Sequence, residues 1–78
     1  MVHAYVFIQT EVGKAAGSAA RAIRTIDGVE WADDLAGPYD VIARVEASRL
    51  DELGRLVASR IQVVGGVTRT LTCMVIHR

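Results

Sequence analysis

The sequence predicts an α+β fold of ferredoxin-like type, β-α-β-β-α-β, with a four-stranded antiparallel sheet carrying two helices on one face. Two observations carry the prediction. Apolar residues switch between a period of two and a period near 3.6 in the order strand, helix, strand, strand, helix, strand. The chain also echoes itself. Residues 22–29, "AIRTIDGV", match residues 60–67, "RIQVVGGV", with Ile23 against Ile61, Ile26 against Val64 and Gly28-Val29 against Gly66-Val67. Two such halves, joined by right-handed crossovers, give the split βαβ arrangement.

Residues 1–9, "MVHAYVFIQ", alternate Val2, Ala4, Val6 and Ile8 with His3, Tyr5, Phe7 and Gln9, so the first strand has apolar bulk on both faces. Residues 14–26 place Ala16, Ala19, Ala20, Ile23 and Ile26 in one helical stripe, and Asp27-Gly28 closes it. Residues 29–35, "VEWADDL", read as an edge strand with Val29, Trp31 and Leu35 opposite Glu30, Ala32 and Asp34. A corner at residues 36–38 holds the one proline. Residues 39–46 follow as a strand, with Val41, Ala43 and Val45 on one face and Asp40, Ile42, Arg44 and Glu46 on the other. Ser48 is placed to cap the second helix, whose apolar face is Leu50, Leu53, Val57 and Ile61 with Leu56 alongside. Residues 67–76, "VTRTLTCMVI", form the last strand. Unbroken alternation puts Val67, Leu71, Cys73 and Val75 on the helix side and Thr68, Thr70, Thr72, Met74 and Ile76 on the other.

With 78 residues and no linker, the chain is one domain, 1–78. Nine basic and nine acidic residues cancel, so the electrostatic footprint of non-specific nucleic-acid binding is missing. No apolar run approaches a membrane span and no signal peptide is present, which places the protein in the cytoplasm with Cys73 reduced. Neither histidine, His3 or His77, stands at ligand spacing from other donors, so no metal and no other cofactor is expected. Both helices on one side leave Tyr5, Phe7, Ile42, Thr70, Thr72, Met74 and Ile76 on the other. That much apolar surface predicts a two-fold homodimer through Tyr5, Phe7, Ile42, Met74 and Ile76.

No catalytic constellation stands out. His3 and His77 read as surface residues at strand ends, and Cys73 as a small core hydrophobe. Asp33 and Asp34 point to opposite faces. Gly65-Gly66 lacks the Lys-Ser/Thr of a phosphate loop. Trp31 packs under a helix or at a subunit contact. Gly37-Pro38-Tyr39-Asp40 admits two readings. It is a stiff corner, or its free backbone groups, the Tyr39 ring and the Asp40 anion grip a zwitterion. On the second reading Asp40 accepts a ligand's ammonium or bonds N–H groups of its own turn.

The stretches "GPYDVIARVEA", "LDELGRLVASRIQVVGGV" and "TRTLTCMVIHR" together resemble the effector-binding (RAM) domain of the Lrp/AsnC family of transcriptional regulators, over essentially the whole chain. The resemblance implies dimers that pack through their sheets and assemble into rings, commonly octamers. It also implies an amino acid or related small metabolite bound where dimers meet, near Gly37, Tyr39, Asp40, Thr70 and Thr72. The family's helix-turn-helix domain has no counterpart in these residues. The expectation is therefore a stand-alone, non-enzymatic sensor that does not bind DNA itself and can join a full-length Lrp/AsnC regulator in mixed assemblies. Two rivals stand beside it: a small dimeric α+β barrel enzyme of monooxygenase or isomerase type, and an assembly module without ligand. The enzyme would need a polar pocket between sheet and helices, where Val6, Ile8, Val41, Ala43, Val45 and Leu71 are expected and supply no polar group.

Overall fold

The computed structural model describes residues 1–11 and 16–76, the side chain of residue 16 excepted. The elements are β1 (Val2–Thr10), α1 (Ala16–Arg24), β2 (Val29–Asp34), β3 (Val41–Ala47), α2 (Leu50–Leu56), a π-helical turn (Val57–Ile61) and β4 (Val67–Met74). The strands form one antiparallel sheet in the order β2-β3-β1-β4. This is the ferredoxin-like arrangement that the periodicity predicts. The expected helix start at residues 14–15 and His77 lie outside the described residues. No described helix is long and apolar enough to cross a membrane.

The core lies between the helices and the inner face of the two central strands. Ala4, Val6 and Ile8 of β1 and Val41, Ala43 and Val45 of β3 are fully buried, against Ala20 and Ile23 of α1, Leu53 of α2 and Ile61 of the π-helical turn. Each of the larger side chains contributes roughly 1.5–3 kcal/mol by leaving water. The period-two and 3.6 patterns select these residues because both elements hide one stripe. Leu50 departs from its expected place: it opens α2 and is exposed. Ser48 is not the cap. Arg49 holds that position in extended conformation without a side-chain capping bond, and the Ser48 hydroxyl donates to Glu52 instead.

The internal echo is an echo of hydrogen bonds. In the first half Ile26 N donates to Ile23 O, and Val29 N to Ile26 O; in the second Val64 N donates to Ile61 O, and Val67 N to Val64 O. Gly28 O then accepts from Glu46 N, as Gly66 O accepts from Glu11 N. Both glycines have positive φ, 94° and 90°. Each turn therefore stitches an edge strand to the adjoining central strand.

Each edge strand next takes up one residue that its partner does not match. In β2 the pairing jumps from Val29↔Val45 to Trp31↔Arg44, skipping Glu30. In β4 it jumps from Val67↔Thr10 to Arg69↔Gln9, skipping Thr68. A bulge of this kind inverts the faces of everything beyond it. Directly paired residues share a face. Thr70, Thr72 and Met74, opposite Ile8, Val6 and Ala4, thus lie on the helix side. Leu71 and Cys73, opposite Phe7 and Tyr5, lie on the open face. Unbroken alternation assigns all five to the wrong sides, and Cys73 is exposed rather than a core residue. Ile76 lies beyond the end of β4, exposed. By the same logic Ala32 enters the core while Trp31 turns to the open face, 39% exposed.

The two echoing glycines differ in surroundings, which makes a test. A Cβ on Gly28 would stand 2.7 Å from Leu56 Cδ1 and 3.0 Å from Glu46 O, whereas one on Gly66 meets nothing within 4 Å. Gly66→Ala should cost only the left-handed strain, about 1–2 kcal/mol. Gly28→Ala should cost that plus overpacking, roughly 2–5 kcal/mol in all. Urea unfolding of the two variants measures the gap, and equal midpoints would refute the close approach.

Candidate functional site

Three segments converge at one end of the sheet: the corner before β3, the end of β1 and the start of β4. Leu35 N donates to Asp40 O at 2.8 Å and closes the corner; Asp40 N donates to Ile8 O at 2.9 Å and docks it on β1. Gln9 Nε2 holds the corner from the side, donating to Pro38 O at 3.0 Å. The backbone O of Gln9 accepts from the Thr68 hydroxyl at 3.2 Å, so one residue ties the corner to β4.

Asp40 is the centre of this end. Its Oδ2 accepts from Thr10 N at 2.7 Å and from Thr10 Oγ1 at 3.0 Å. Thr10 is the one buried polar residue among the described residues, 8% exposed, and its N–H has a carboxylate as acceptor where a strand carbonyl would ordinarily serve. The carboxylate therefore clasps the neighbouring strand rather than N–H groups of its own turn. Sequence reasoning stopped β1 at Gln9 and missed Thr10. The signal was there, since Thr10 continues the inward alternation of Ala4, Val6 and Ile8.

The other expected ligand residues divide between the two faces. Gly37 is exposed at the corner, and the half-buried Tyr39 tilts its ring over Phe7 at 5.6 Å and 52°, towards the open face. Thr70 lies on the helix side, where its hydroxyl accepts from Gln62 Nε2 at 3.0 Å. The π-helical turn positions that glutamine: Gln62 N bonds Val57 O, five residues back. Thr72 lies farther along β4, opposite Val6. Beside Thr70 opens a cleft of about 300 Å³ lined by Gln62, Val67, Thr68, Arg69 and Thr70. Of these, only Thr70 was expected from sequence. The rest depend on the bulge at Thr68 and on the wide helical turn, and neither leaves a periodic signal.

A second polar group lies on the open face, on three adjacent strands. His3 Nδ1 is 2.9 Å from Glu30 Oε1 and 3.9 Å from Glu46 Oε2. Arg44 reaches Glu30 Oε1 at 3.4 Å and donates to Tyr5 Oη at 2.8 Å, with its guanidinium 5.3 Å from the Tyr5 ring centre. Trp31 tilts on the same ring at 6.1 Å. Partial desolvation pushes the Glu30 carboxyl upward, but the hydrogen bond with His3 and the charge of Arg44 outweigh it and hold the group below its ordinary value. His3, read from sequence as a plain surface residue, is thus part of an ionic network. Its three potential ligand groups, His3, Glu30 and Glu46, lie within 4.8 Å of one another.

Comparison with known proteins gives a consistent picture. The family model described as the Lrp/AsnC ligand binding domain matches residues 3–78. The crystal structure of TTHA0845 from Thermus thermophilus superimposes with a TM-score of 0.91 at 29% identity, covering 100% of this chain and 96% of that one. A transcriptional regulator from Neisseria meningitidis, solved in complex with L-methionine, shares the fold with a TM-score of 0.84 at 17% identity, over 97% of this chain and 50% of that one. A homocitrate synthase of Sulfurisphaera tokodaii is 29% identical over 77 residues, 99% of this chain. The chain spans only 16% of the length of that relative.

The clasp on Thr10 predicts a stability effect. Asp40→Ala should leave the Thr10 N–H without an acceptor at a cost of roughly 1.5–3 kcal/mol, while Asp40→Asn, which keeps one acceptor oxygen, should cost about half as much. An Ala variant with the wild-type urea midpoint would show that the clasp carries no weight.

Proposed function

We propose, because the chain belongs to the Lrp/AsnC ligand-binding domain family, that it is a small-molecule-sensing and oligomerisation module linked to transcriptional regulation. The observation that carries this reading is the convergence of corner, β1 end and β4 start at one end of the sheet, with an open polar cleft lined by Gln62 and residues 67–70 on its β4 side. The ligand is an amino acid or related small metabolite, held near Gly37, Tyr39, Asp40 and Thr70 where dimers meet, with Thr72 farther along the same strand. The Neisseria regulator, described with L-methionine, supports an amino acid. The role is non-enzymatic and cytoplasmic, without direct contact to DNA. Signalling follows from linkage: a ligand favours one assembly only by its differential affinity for it.

The assembly unit is a two-fold homodimer through the open sheet face. Tyr5, Phe7 and Ile42 keep their expected place there. The register adds Leu71, 47% exposed, and Trp31, in place of Met74 and Ile76. Dimers build a higher ring, an octamer being the expected size, and a full-length Lrp/AsnC regulator can enter it. The homocitrate synthase relatives favour a second reading, in which such a module serves a metabolic enzyme. A metabolite-dependent complex with an enzyme, and none with an Lrp/AsnC regulator, would select it in co-sedimentation.

Two measurements test the main reading. In thermal melts with each of the twenty amino acids, a ligand at 100 times its Kd should add about 2.7 kcal/mol; a flat screen would remove the amino-acid assignment. Phe7→Asp should place a charge in the dimer interface at a cost of roughly 2–7 kcal/mol and yield monomers in sedimentation. A folded variant with the wild-type sedimentation profile would exclude this face.

A further inference from the structure

The bulge in β2 does more than shift the phase of its strand. Glu30 is the residue that β3 does not match. A bulge re-aims the side chain it carries. Here the side chain reaches across β3, and Glu30 Oε1 meets His3 Nδ1 of β1 at 2.9 Å. Glu46 stands directly opposite His3 in the β1–β3 register and so shares its face. Its Oε2 lies 3.9 Å from the same nitrogen. Three adjacent strands thus bring one imidazole and two carboxylates to a point, with ligand atoms from all three within 4.8 Å of one another. Spacing along the chain does not reveal this set, because each member comes from a different strand. The second half of the repeat has no counterpart: its unmatched residue is Thr68, whose hydroxyl is used on Gln9 O.

The distances suit a small divalent ion. Zinc holds nitrogen and oxygen donors at 2.0–2.2 Å, so two donors of a tetrahedral site stand about 3.4 Å apart. The two separations from His3 Nδ1, 2.9 and 3.9 Å, lie on either side of that value, about half an ångström away. All three side chains are partly exposed, which gives an ion a way in. The charge also suits it. Arg44 reaches Glu30 Oε1 at 3.4 Å and uses its other arm on Tyr5 Oη, so it offsets one carboxylate. The Glu46 carboxylate has no ion-pair partner nearer than His3 Nδ1 among the described residues. With a neutral imidazole, the form that ligates metals, two carboxylates and one guanidinium leave one negative charge.

We propose that His3, Glu30 and Glu46 form a binding site for a divalent transition metal of the zinc class. One nitrogen and two oxygens favour such an ion over magnesium or calcium, which take oxygen donors. Three protein ligands leave the fourth position of a tetrahedron to water. The ion clips β2, β3 and β1 together at one end of the open face. The site does not depend on the sensor reading and stands apart from the corner and the cleft.

Calorimetric titration of the whole chain with zinc chloride, against magnesium chloride, tests the site. One zinc should bind per chain, raise the melting temperature and bind far more tightly than magnesium. His3→Ala and Glu46→Gln should each weaken zinc binding at least ~10-fold, since loss of a ligand costs no less than loss of a group that only orients one. Far-UV circular dichroism checks that both variants are folded. Cys73→Ser and His77→Ala remove the other zinc-seeking side chains and should bind as wild type does. No binding up to about 1 mM zinc, the level of the weakest specific sites, would overturn the proposal. So would wild-type affinity in folded His3→Ala and Glu46→Gln, loss of binding in Cys73→Ser or His77→Ala, or magnesium binding as tightly as zinc. One zinc per two chains would place the ion between copies and overturn the assignment to these three residues within one chain.

Discussion

Each edge strand contains one residue more than its partner can match, and the character of the open face follows from where that residue sits. Glu30 and Thr68 each stand two residues beyond a glycine held at positive φ. The glycine carbonyl ties the turn to a central strand, and the bulge then reverses inside and outside for the rest of the edge strand. Without the first bulge Ala32 would leave the core and Trp31 would enter it. Without the second, Leu71 would lie under the helices and Arg69 would face the core side. The central strands contain no such interruption, and their helix-facing Ala4, Val6, Ile8, Val41, Ala43 and Val45 are completely buried.

This explains what could be read from the sequence and what could not. β1 and β3 are regular, and their inward residues Ala4, Val6, Ile8, Val41, Ala43 and Val45 follow from alternation alone. α1 and α2 announce themselves through Ile23, Leu53 and their neighbours because burial of a helical stripe leaves a 3.6 period. β4 defeats the same reasoning. Its residues alternate regularly in sequence, but a single unmatched threonine shifts the phase, and no composition rule marks Thr68 as the extra one. The repeat held the missing information: the step after Gly28-Val29 is the step after Gly66-Val67. At the candidate site the corner was legible as Gly37-Pro38-Tyr39-Asp40. Its partner Thr10 and the cleft residues Gln62 and Arg69 are contacts across strands, and pairing between distant segments has no local signature.

The two ends of the sheet also divide the electrostatics. One end gathers His3, Glu30, Glu46 and Arg44 on the open face, where Glu30 contacts both His3 and Arg44. At the other, Asp40 is committed to Thr10, and Arg69 beside the cleft forms no ion pair with any described residue. A chain whose formal charge is zero is therefore locally uneven.

The clasp between Asp40 and Thr10 has a further consequence for how such a protein can change over time. It holds the corner to the sheet by a bond that involves none of the residues lining the cleft. Gln62, Thr68 and Arg69 are exposed and lie outside the hydrophobic core. Substitutions at exposed positions of this kind usually shift stability by no more than about 0.5 kcal/mol. The lining can therefore drift in charge and size while the frame around it stays put. A scaffold with that separation can be retuned at its surface one residue at a time, each intermediate still folded.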